Sequence, residues 1–336
     1  MKKDDKVQVN VKIDEMVAIA TDEFVRGTQL PADIYVQLSG DKFVLIARQG
    51  TKADLQQMHL AEHMDAAHFY VRKSDFKNCV GQSLTIAGIV LARPELSFEK
   101  KGQFLRKTAE SVFKELEHVG FTNESFEHAK MISRNIQSLI EARPDLGAAI
   151  ELMNGISDDL IRHSMTVAAI AVIIAHNVGW KIPSTLEKIA LGALLHDIGM
   201  KELPQDIISK ARHEMSYEEQ QIYESHPFRG METLRSMPSI PDDILAIVYE
   251  HHENSIGQGY PRKIRDYKIN PLAKVVALAN GFAELTTKHV NNSTPRSPTE
   301  ALAYIETTLG QPYNKAAFMA LKNSITACQA NKKKSA

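Results

Sequence analysis

The sequence predicts a mainly α-helical protein that begins with a small α+β domain. Three observations predict this: alternating apolar residues within the first 93 positions, charged amphipathic patterns over 94–145, and long apolar helical runs over 146–330. Apolar residues three or four positions apart are typical of helices, whereas strict alternation is typical of strands. We therefore expect a small sensory or regulatory domain over 1–93, a helical connector over 94–145 and an all-α domain over 146–330.

The composition argues against several classes of protein. The chain has 336 residues, 43% hydrophobic and 24% charged, with a net charge of -1. It lacks the excess of lysine and arginine with which proteins attract nucleic-acid polymers. Only Cys79 and Cys328 are present, which does not indicate a disulfide framework. The N-terminal residues 1–15 lack the apolar core of a signal peptide. The apolar stretch Met165–Ala175 is shorter than the roughly 20 residues that span a membrane, so we expect a cytoplasmic protein with no membrane segment.

Short patterns place the first elements. The runs "DIYVQL" and "KFVLIA" alternate on either side of "SGD", which predicts a β-hairpin. "LQQMHLAEHM" predicts a short helix, and "HFYVRK" predicts a further strand. In the connector, "FEKKGQFLRKTAESVFKELEHV" predicts an amphipathic helix that ends near Gly120.

Histidines at predicted helix ends indicate a metal site. His163 lies in an apolar helix for which Ser157 is the expected N-cap. A second apolar helix, "EKIALGALLHDIG", ends in the pair His196 and Asp197. A carboxylate buried beside an imidazole is costly unless a positive charge compensates it. A divalent metal ion would supply that charge.

The stretch "HHENSIGQGYP" begins with two adjacent histidines. The side chains of His251 and His252 point about 100° apart on a helix, so one core face cannot take both. At a helix end they can serve a binuclear centre, with Asp197 bridging two ions. His226, in "YESHPFRG", is a further candidate ligand. Imidazole and carboxylate together suit Fe, Mn, Zn or Ni, and two-metal sites are typical of phosphoryl transfer.

The set resembles a known family. His163, the pair His196–Asp197, His226, the "HHE" of 251–253 and the "GYP" of 259–261 are similar to the HD-GYP subgroup of the HD-domain metal-dependent phosphohydrolases. The resemblance implies an all-α HD-domain bundle that holds two or three divalent ions, iron or manganese. It implies hydrolysis of cyclic di-GMP, a bacterial second messenger, by a metal-activated water. Signalling proteins such as diguanylate cyclases are the implied partners.

The resemblance also assigns roles to individual residues. The implied metal ligands are His163, His196, Asp197, His226, His251 and His252, with Asp197 also catalytic as the bridge between ions. Asp159 occupies the place of a third-metal glutamate, or serves only as a helix-start charge. Gly259, Tyr260 and Lys201 are the implied substrate-binding residues. Tyr260 has the alternative of a packed turn residue.

Four departures from the family pattern leave two functions open. Met200 replaces a lysine near the substrate phosphate, and Lys201 would point about 100° away on a continuing helix. Ile256 replaces an aspartate before the GYP stretch, and Ala283 replaces another in "ANGFAELT". Asn280 replaces a metal-binding aspartate and should hold its ion more weakly. The chain is therefore either an active phosphodiesterase or a degenerate relative that binds metal, the dinucleotide or a partner protein without turnover. We favour the first.

Overall fold

The computed structural model describes residues 8–19, 28–52, 68–237 and 239–335, with side chains up to residue 328. The chain forms two compact units. The first comprises Met1–Ala92 and Lys107–His128, and the second comprises Arg93–Arg106 and Ala129–Ala336. The stretch 94–145 is thus shared between the units, and the division into three functional domains stays a prediction.

The first unit contains a five-stranded sheet. Its strands are β1 (Gln8–Asn10), β2 (Met16–Ile19), β3 (Ile34–Ser39), β4 (Lys42–Ala47) and β5 (Phe69–Arg72). They lie in the order β1-β4-β3-β5-β2, and every neighbouring pair is antiparallel. One apolar core cluster of this unit is formed by Val11, Met16, Tyr35, Phe43 and Leu45.

The predicted hairpin and strand are confirmed. Strands β3 and β4 pair across the turn at Gly40, whose φ of +48° suits a glycine. The strand in "HFYVRK" is β5, which ends at Arg72 because helix α1 (Lys73–Leu91) begins there. The helix predicted over 55–64 lies outside the described residues. Helices α2 (Phe98–His118) and α3 (Asn123–Ala142) follow, and Gly120, with a φ of +94°, lies just past the end of α2 as expected.

In the described residues of the second unit, helices joined by loops are the regular elements. After α2 and α3 its helices are α4 (Leu146–Met153), α5 (Asp159–Val178), α6 (Pro183–Leu195), α7 (Gln205–Ile208), α8 (Tyr217–Tyr223), α9 (His226–Arg235), α10 (Asp242–Glu250), α11 (Pro271–Thr286), α12 (Pro298–Thr307) and α13 (Lys315–Ser335). The first turns of α2 belong to this unit: Arg106 donates from Nη1 to the carbonyl of Leu152 at 2.6 Å.

Helix α5 is the centre of the second unit. It packs against α4, α6, α11 and α13, and an unbroken run from Ser164 to Ala175 is buried. By length and composition it could cross a membrane, but 67% of its apolar window is buried inside the protein, as in the core helix of a globular domain. The expectation that Ser157 caps this helix is wrong. Asp158 is the N-cap, and its carboxylate accepts from the backbone N–H of Ile161.

Candidate metal centre

Helix ends bring the predicted ligands together. His163 lies in α5, and His196 and Asp197 directly follow α6. His226 opens α9, and His251 and His252 follow α10. Helix α9 can approach the turn after α6 because Gly199 has no side chain: a Cβ there would lie 2.1 Å from the carbonyl oxygen of His226. We call these six side chains the ligand cluster.

Asp197 belongs to two groups of candidate ligands. One group contains Asp197, His226, His251 and His252, the other His163, His196 and Asp197, and one ligand atom from each member lies within 4.8 Å of the others. Its Oδ1 is 3.2 Å from Nε2 of His226 and 3.5 Å from Nε2 of His251. Its Oδ2 is 3.1 Å from Nε2 of His196 and 3.7 Å from Nε2 of His163. Each carboxylate oxygen thus serves a different group, as a bridging ligand would.

Three histidine rings are oriented by the backbone. The Nδ1 atoms of His196, His226 and His251 lie 2.7, 2.8 and 2.8 Å from the carbonyl oxygens of Ala193, Tyr223 and Val248. A ring nitrogen beside a carbonyl must carry the proton, so in each neutral ring Nε2 presents a lone pair to the cluster. The Nε2 atoms of His226 and His251 are only 3.2 Å apart. Two facing lone pairs at that distance repel unless a cation lies between them.

The fit to a metal rests on unsatisfied acceptors. Asp197 Oδ1 is buried and has no hydrogen-bond partner among the described residues, and the same is true of Asn280 Oδ1. Buried polar atoms without partners are uncommon and call for an explanation such as an ion. The unpartnered oxygen of Asp197 lies among histidine nitrogens that present lone pairs, so the cluster fits a divalent transition metal.

Burial keeps most of the imidazoles neutral. Burial, reinforced by the neighbouring histidines, lowers the pKa of His163 to about 3, and burial lowers the pKa of His251 to about 4. Burial also holds the pKa of His252 well below its ordinary value. For Asp197 burial acts in the opposite direction, but His196 outweighs it and holds the carboxyl pKa well below its usual range. Likewise, the pKa of His196 is raised, because Asp197 outweighs the effect of burial. Apart from His196, the cluster thus has the protonation states that metal binding requires, neutral imidazoles around an ionised carboxylate.

Asn280 lies in the place where the family has an aspartate. It is carried by α11 and is 2% exposed. Its Nδ2 lies 3.5 Å from Nδ1 of His252. The amide therefore lies beside a ligand ring but brings no charge. Ala283, one turn further along the helix, is fully buried and contributes no oxygen.

Two predicted residues are not brought into the cluster. Asp159 lies in the first turn of α5, where its exposed carboxylate forms an ion pair with Arg162. Arg162 also donates to the carbonyl of Lys288 at 2.7 Å, which holds this pair at the helix start. Lys201 is exposed in the 3₁₀ turn Ile198–Glu202. Helix α6 does not continue to it, so the angular argument based on an α-helix does not apply.

The GYP loop, residues 254–264, packs on the ligand group that contains His252. A Cβ on Gly259 would lie 2.3 Å from the carbonyl oxygen of His252, so glycine is needed for this close approach. Tyr260 is 8% exposed and stacks on His252 with ring centres 4.3 Å apart and planes 20° apart. Its hydroxyl has no hydrogen-bond partner among the described residues. The peptide bond between Tyr260 and Pro261 is cis.

Glu253 fixes the shape of this loop. It is 1% exposed, and its carboxylate accepts from the backbone N–H groups of Arg262 at 2.6 Å and Ile264 at 3.2 Å. Glu250 acts similarly on the next segment, because it accepts from the backbone N–H of Asn270 at 2.7 Å. The glutamate of the "HHE" motif thus orients the loop that covers His252.

Three further polar residues lie near the cluster and are not among the residues predicted from the sequence. The Tyr223 ring meets the His226 ring edge-on at 5.4 Å. The Arg212 guanidinium lies over the rings of both Tyr223 and Tyr260. Burial raises the pKa of Glu284, which is electrostatically coupled to the cluster. Glu284 follows Asn280 by four residues, so helical spacing could have found it, whereas Arg212 lies in a loop whose course has no such periodicity.

Comparison with known proteins agrees with this geometry. A sequence model of the HD domain family matches residues 148–317, just over half of the chain. The chain belongs to the HD domain family. It is 28% identical over 238 residues to a cyclic di-GMP phosphodiesterase of Thermotoga maritima, a match covering 68% of this chain and 57% of that protein. It is 24% identical over 161 residues to the cyclic di-GMP phosphodiesterase PA4108 of Pseudomonas aeruginosa, covering 48% of this chain and 38% of that protein.

A solved structure shares the fold. Bd1817, a HDG"Y"P protein from Bdellovibrio bacteriovorus, matches 93% of this HD domain protein and 99% of its own chain, with a TM-score of 0.66 at 18% identity. The resemblance to the HD-GYP proteins and the mainly α fold are thereby confirmed. The chain spans about half the length of the curated relatives it matches.

Proposed function

We propose that this protein is a metal-dependent phosphodiesterase that hydrolyses cyclic di-GMP. The observation that carries the proposal is Asp197, whose two oxygens face two separate groups of histidines. Two ions held a few Å apart suit phosphoryl transfer, since they can contact both the attacking and the leaving oxygen. The names of the two relatives support cyclic di-GMP as the substrate.

The cluster assigns residues to two ions. Asp197, His226, His251 and His252 would hold one ion, and His163, His196 and Asp197 the other, with the Asn280 oxygen as a neutral addition. Imidazole and carboxylate ligands favour iron or manganese over magnesium or calcium. When bound, the ions would lower the pKa of a water so that hydroxide forms near neutral pH, and they would neutralise charge on the phosphate.

The chain's own side chains organise the site for this chemistry. Backbone carbonyls fix the rings of three histidines. The low pKa of Asp197 keeps its carboxylate ionised, because His196 opposes the effect of burial. Tyr260 covers His252 with its ring and limits the access of bulk water to that ligand. Asp159, with its carboxylate bound to Arg162, supports two ions rather than three.

The test is turnover of cyclic di-GMP by protein loaded anaerobically with iron or manganese. We expect at least one, and up to two, tightly held ions per chain by elemental analysis, together with release of the linear dinucleotide or GMP. His163→Gln should lose activity and metal, whereas His176→Gln, on the exposed face of the same helix, should retain both. The proposal would be contradicted if protein prepared with excess iron or manganese holds no transition metal and releases no product.

A second function is favoured by Asn280. Its neutral oxygen replaces a charged ligand, and Met200 and Ala283 remove two further polar groups of the family pattern. Such a protein would hold one ion and act as a receptor for cyclic di-GMP, passing the signal to proteins such as diguanylate cyclases. Saturable binding of cyclic di-GMP to the metal-loaded chain, without product after prolonged incubation, would favour this function over the first.

A further inference from the structure

We propose that Arg212, together with the Tyr260 hydroxyl, forms an anion subsite beside the metal centre that binds a phosphate group of the substrate. This subsite lies outside the ligand cluster. It rests on the proposed function for the identity of the substrate, but not for the presence of an anion site.

Arg212 is held in place from two sides. It opens the 3₁₀ turn Arg212–Glu214, and its backbone N–H donates to Oδ1 of Asn291 at 2.7 Å. Its guanidinium carbon lies 5.5 Å from the ring centre of Tyr223 and 5.4 Å from that of Tyr260. Both distances are within the range of cation–π attraction. The guanidinium is therefore held between two aromatic rings while part of it remains accessible to solvent.

Each of those rings touches a candidate metal ligand. Tyr260 stacks on His252 at 4.3 Å, and Tyr223 meets His226 edge-on at 5.4 Å. The positive charge of Arg212 is thus separated from the cluster by a single ring on either side. A ligand that reaches both the metal and Arg212 needs to extend over little more than one aromatic side chain.

The guanidinium retains donors for a ligand. Among the described residues its ion pair is with Glu224, at 2.6 Å from Nη2 to Oε1. A guanidinium has five N–H donors in a planar fork that matches phosphate oxygens. The Arg212 side chain is 42% exposed, so a ligand can approach it from solvent. A bound phosphate would share the guanidinium with Glu224.

The Tyr260 hydroxyl is the independent second observation. It is buried without a hydrogen-bond partner among the described residues, although buried hydroxyl groups rarely remain unpaired. Its ring faces the Arg212 guanidinium, and the hydroxyl can donate to an oxygen. A cationic fork beside an unsatisfied hydroxyl donor is complementary to a phosphate oxygen.

The substrate class follows from charge. A cyclic dinucleotide carries two phosphodiester groups, each with one negative charge, whereas the reaction takes place at one of them. The ligand cluster would take the reacting group, and Arg212 the other. Because the second phosphodiester group does not change during the reaction, its contact with Arg212 should stabilise the bound substrate and the transition state equally. Such uniform binding lowers KM and leaves kcat unchanged.

The experiment compares Arg212→Gln, Arg212→Lys and Tyr260→Phe in the metal-loaded full chain. Arg134→Gln is the matched control, because Arg134 pairs with Glu187 at 2.8 Å in a comparable exposed ion pair. We expect Arg212→Gln to raise KM for cyclic di-GMP about 10–100-fold, the effect of one charge-assisted hydrogen bond, with kcat and metal content unchanged. If the chain binds without turnover, the same change is expected in Kd. Arg212→Lys should recover part of the loss, Tyr260→Phe should show a smaller one, and the control should match the wild type.

A second probe separates this inference from the proposed function. Inorganic phosphate should raise the Tm of the wild-type protein and of Arg134→Gln, but much less that of Arg212→Gln. If cyclic di-GMP neither binds nor reacts while this phosphate effect is observed, the subsite stands and the proposed substrate is wrong. Equal KM or Kd and equal phosphate effects in wild type and Arg212→Gln would overturn the subsite. So would a loss of metal in Arg212→Gln with an unchanged KM or Kd, because the arginine would then support the metal ligands and would not bind a substrate phosphate.

Discussion

Asn280→Asp changes the charge of the centre at one buried position, and its effects should have opposite signs with and without metal. Unit charges about 4 Å apart attract by about 4 kcal/mol at an effective dielectric constant of about 20, and a divalent ion doubles that. Asn280 lies 3.5 Å from the ring of His252, at the edge of the ligand cluster, so we take about 4 Å as its distance from the nearer ion. Burial of a carboxylate costs several kcal/mol. The remainder, about 2–3 kcal/mol, corresponds to roughly 30–150-fold tighter binding of one ion.

The metal-free variant should behave in the opposite way. Its new carboxylate would be buried beside His252 without a metal ion, so the free energy of unfolding should fall by about 2–3 kcal/mol. Chelator competition followed by elemental analysis measures the first effect, and urea unfolding of chelated protein measures the second. If cyclic di-GMP is hydrolysed, the rate should also rise. Asn280→Ala, which removes the oxygen without adding charge, should show neither gain. An Asn280→Asp protein with unaltered metal affinity and unaltered metal-free stability would refute the charge argument.

Three further predictions address the loop, the protonation states and the domain boundary. Gly259→Ala places a Cβ against the carbonyl of His252 and should lower stability by about 1–3 kcal/mol and release metal. Urea unfolding would measure the stability, and elemental analysis the metal content. Unaltered values of both would exclude a packing role for this glycine. Burial lowers the pKa of His251 to about 4, below its value in the unfolded chain. The unfolded state therefore binds more protons between these values, and the Tm of chelated protein should fall as the pH decreases from about 6.5 to 4; a flat profile would contradict neutral buried rings. A chain covering residues 93–336 should fold and hold metal. It should be more stable to urea than a chain covering 146–336, because only the longer chain retains the contact of α2 with α4. Equal stability of the two chains would contradict the assignment of the first turns of α2 to the second unit.

The ligand cluster could be predicted from the sequence because each ligand sits at a helix boundary that periodicity reveals. Apolar runs before His196 and His251 marked the ends of α6 and α10. The adjacency of His251 and His252 indicated a metal site but not which ion each would hold, since both lie in the same ligand group. Spacing alone could not show that these ends converge. That convergence depends on packing among helices far apart in sequence, and on the close approach that Gly199 permits.

Other features depend on contacts that no local pattern records. The sequence offered Asp159 as a ligand or a helix-start charge, and its partner Arg162 is what keeps it at the helix start. The N-cap assigned to Ser157 belongs to the next residue, because two acceptable capping residues stand side by side. Arg212 reaches the site from a turn without periodicity, so only the three-dimensional structure places it beside Tyr260.

The carbonyl bonds to Nδ1 have a consequence for the choice of metal. Each of the three rings is anchored to a backbone carbonyl three residues earlier in the chain, so its direction is settled when the helix end forms. Most of the rotational entropy of these ligands is therefore lost during folding, and little remains to be lost when an ion arrives. A set of rigidly held imidazole ligands without a soft thiolate distinguishes weakly among iron, manganese and other first-row transition metals. The metal found in the protein would then follow the supply in the cell more than the preference of the site.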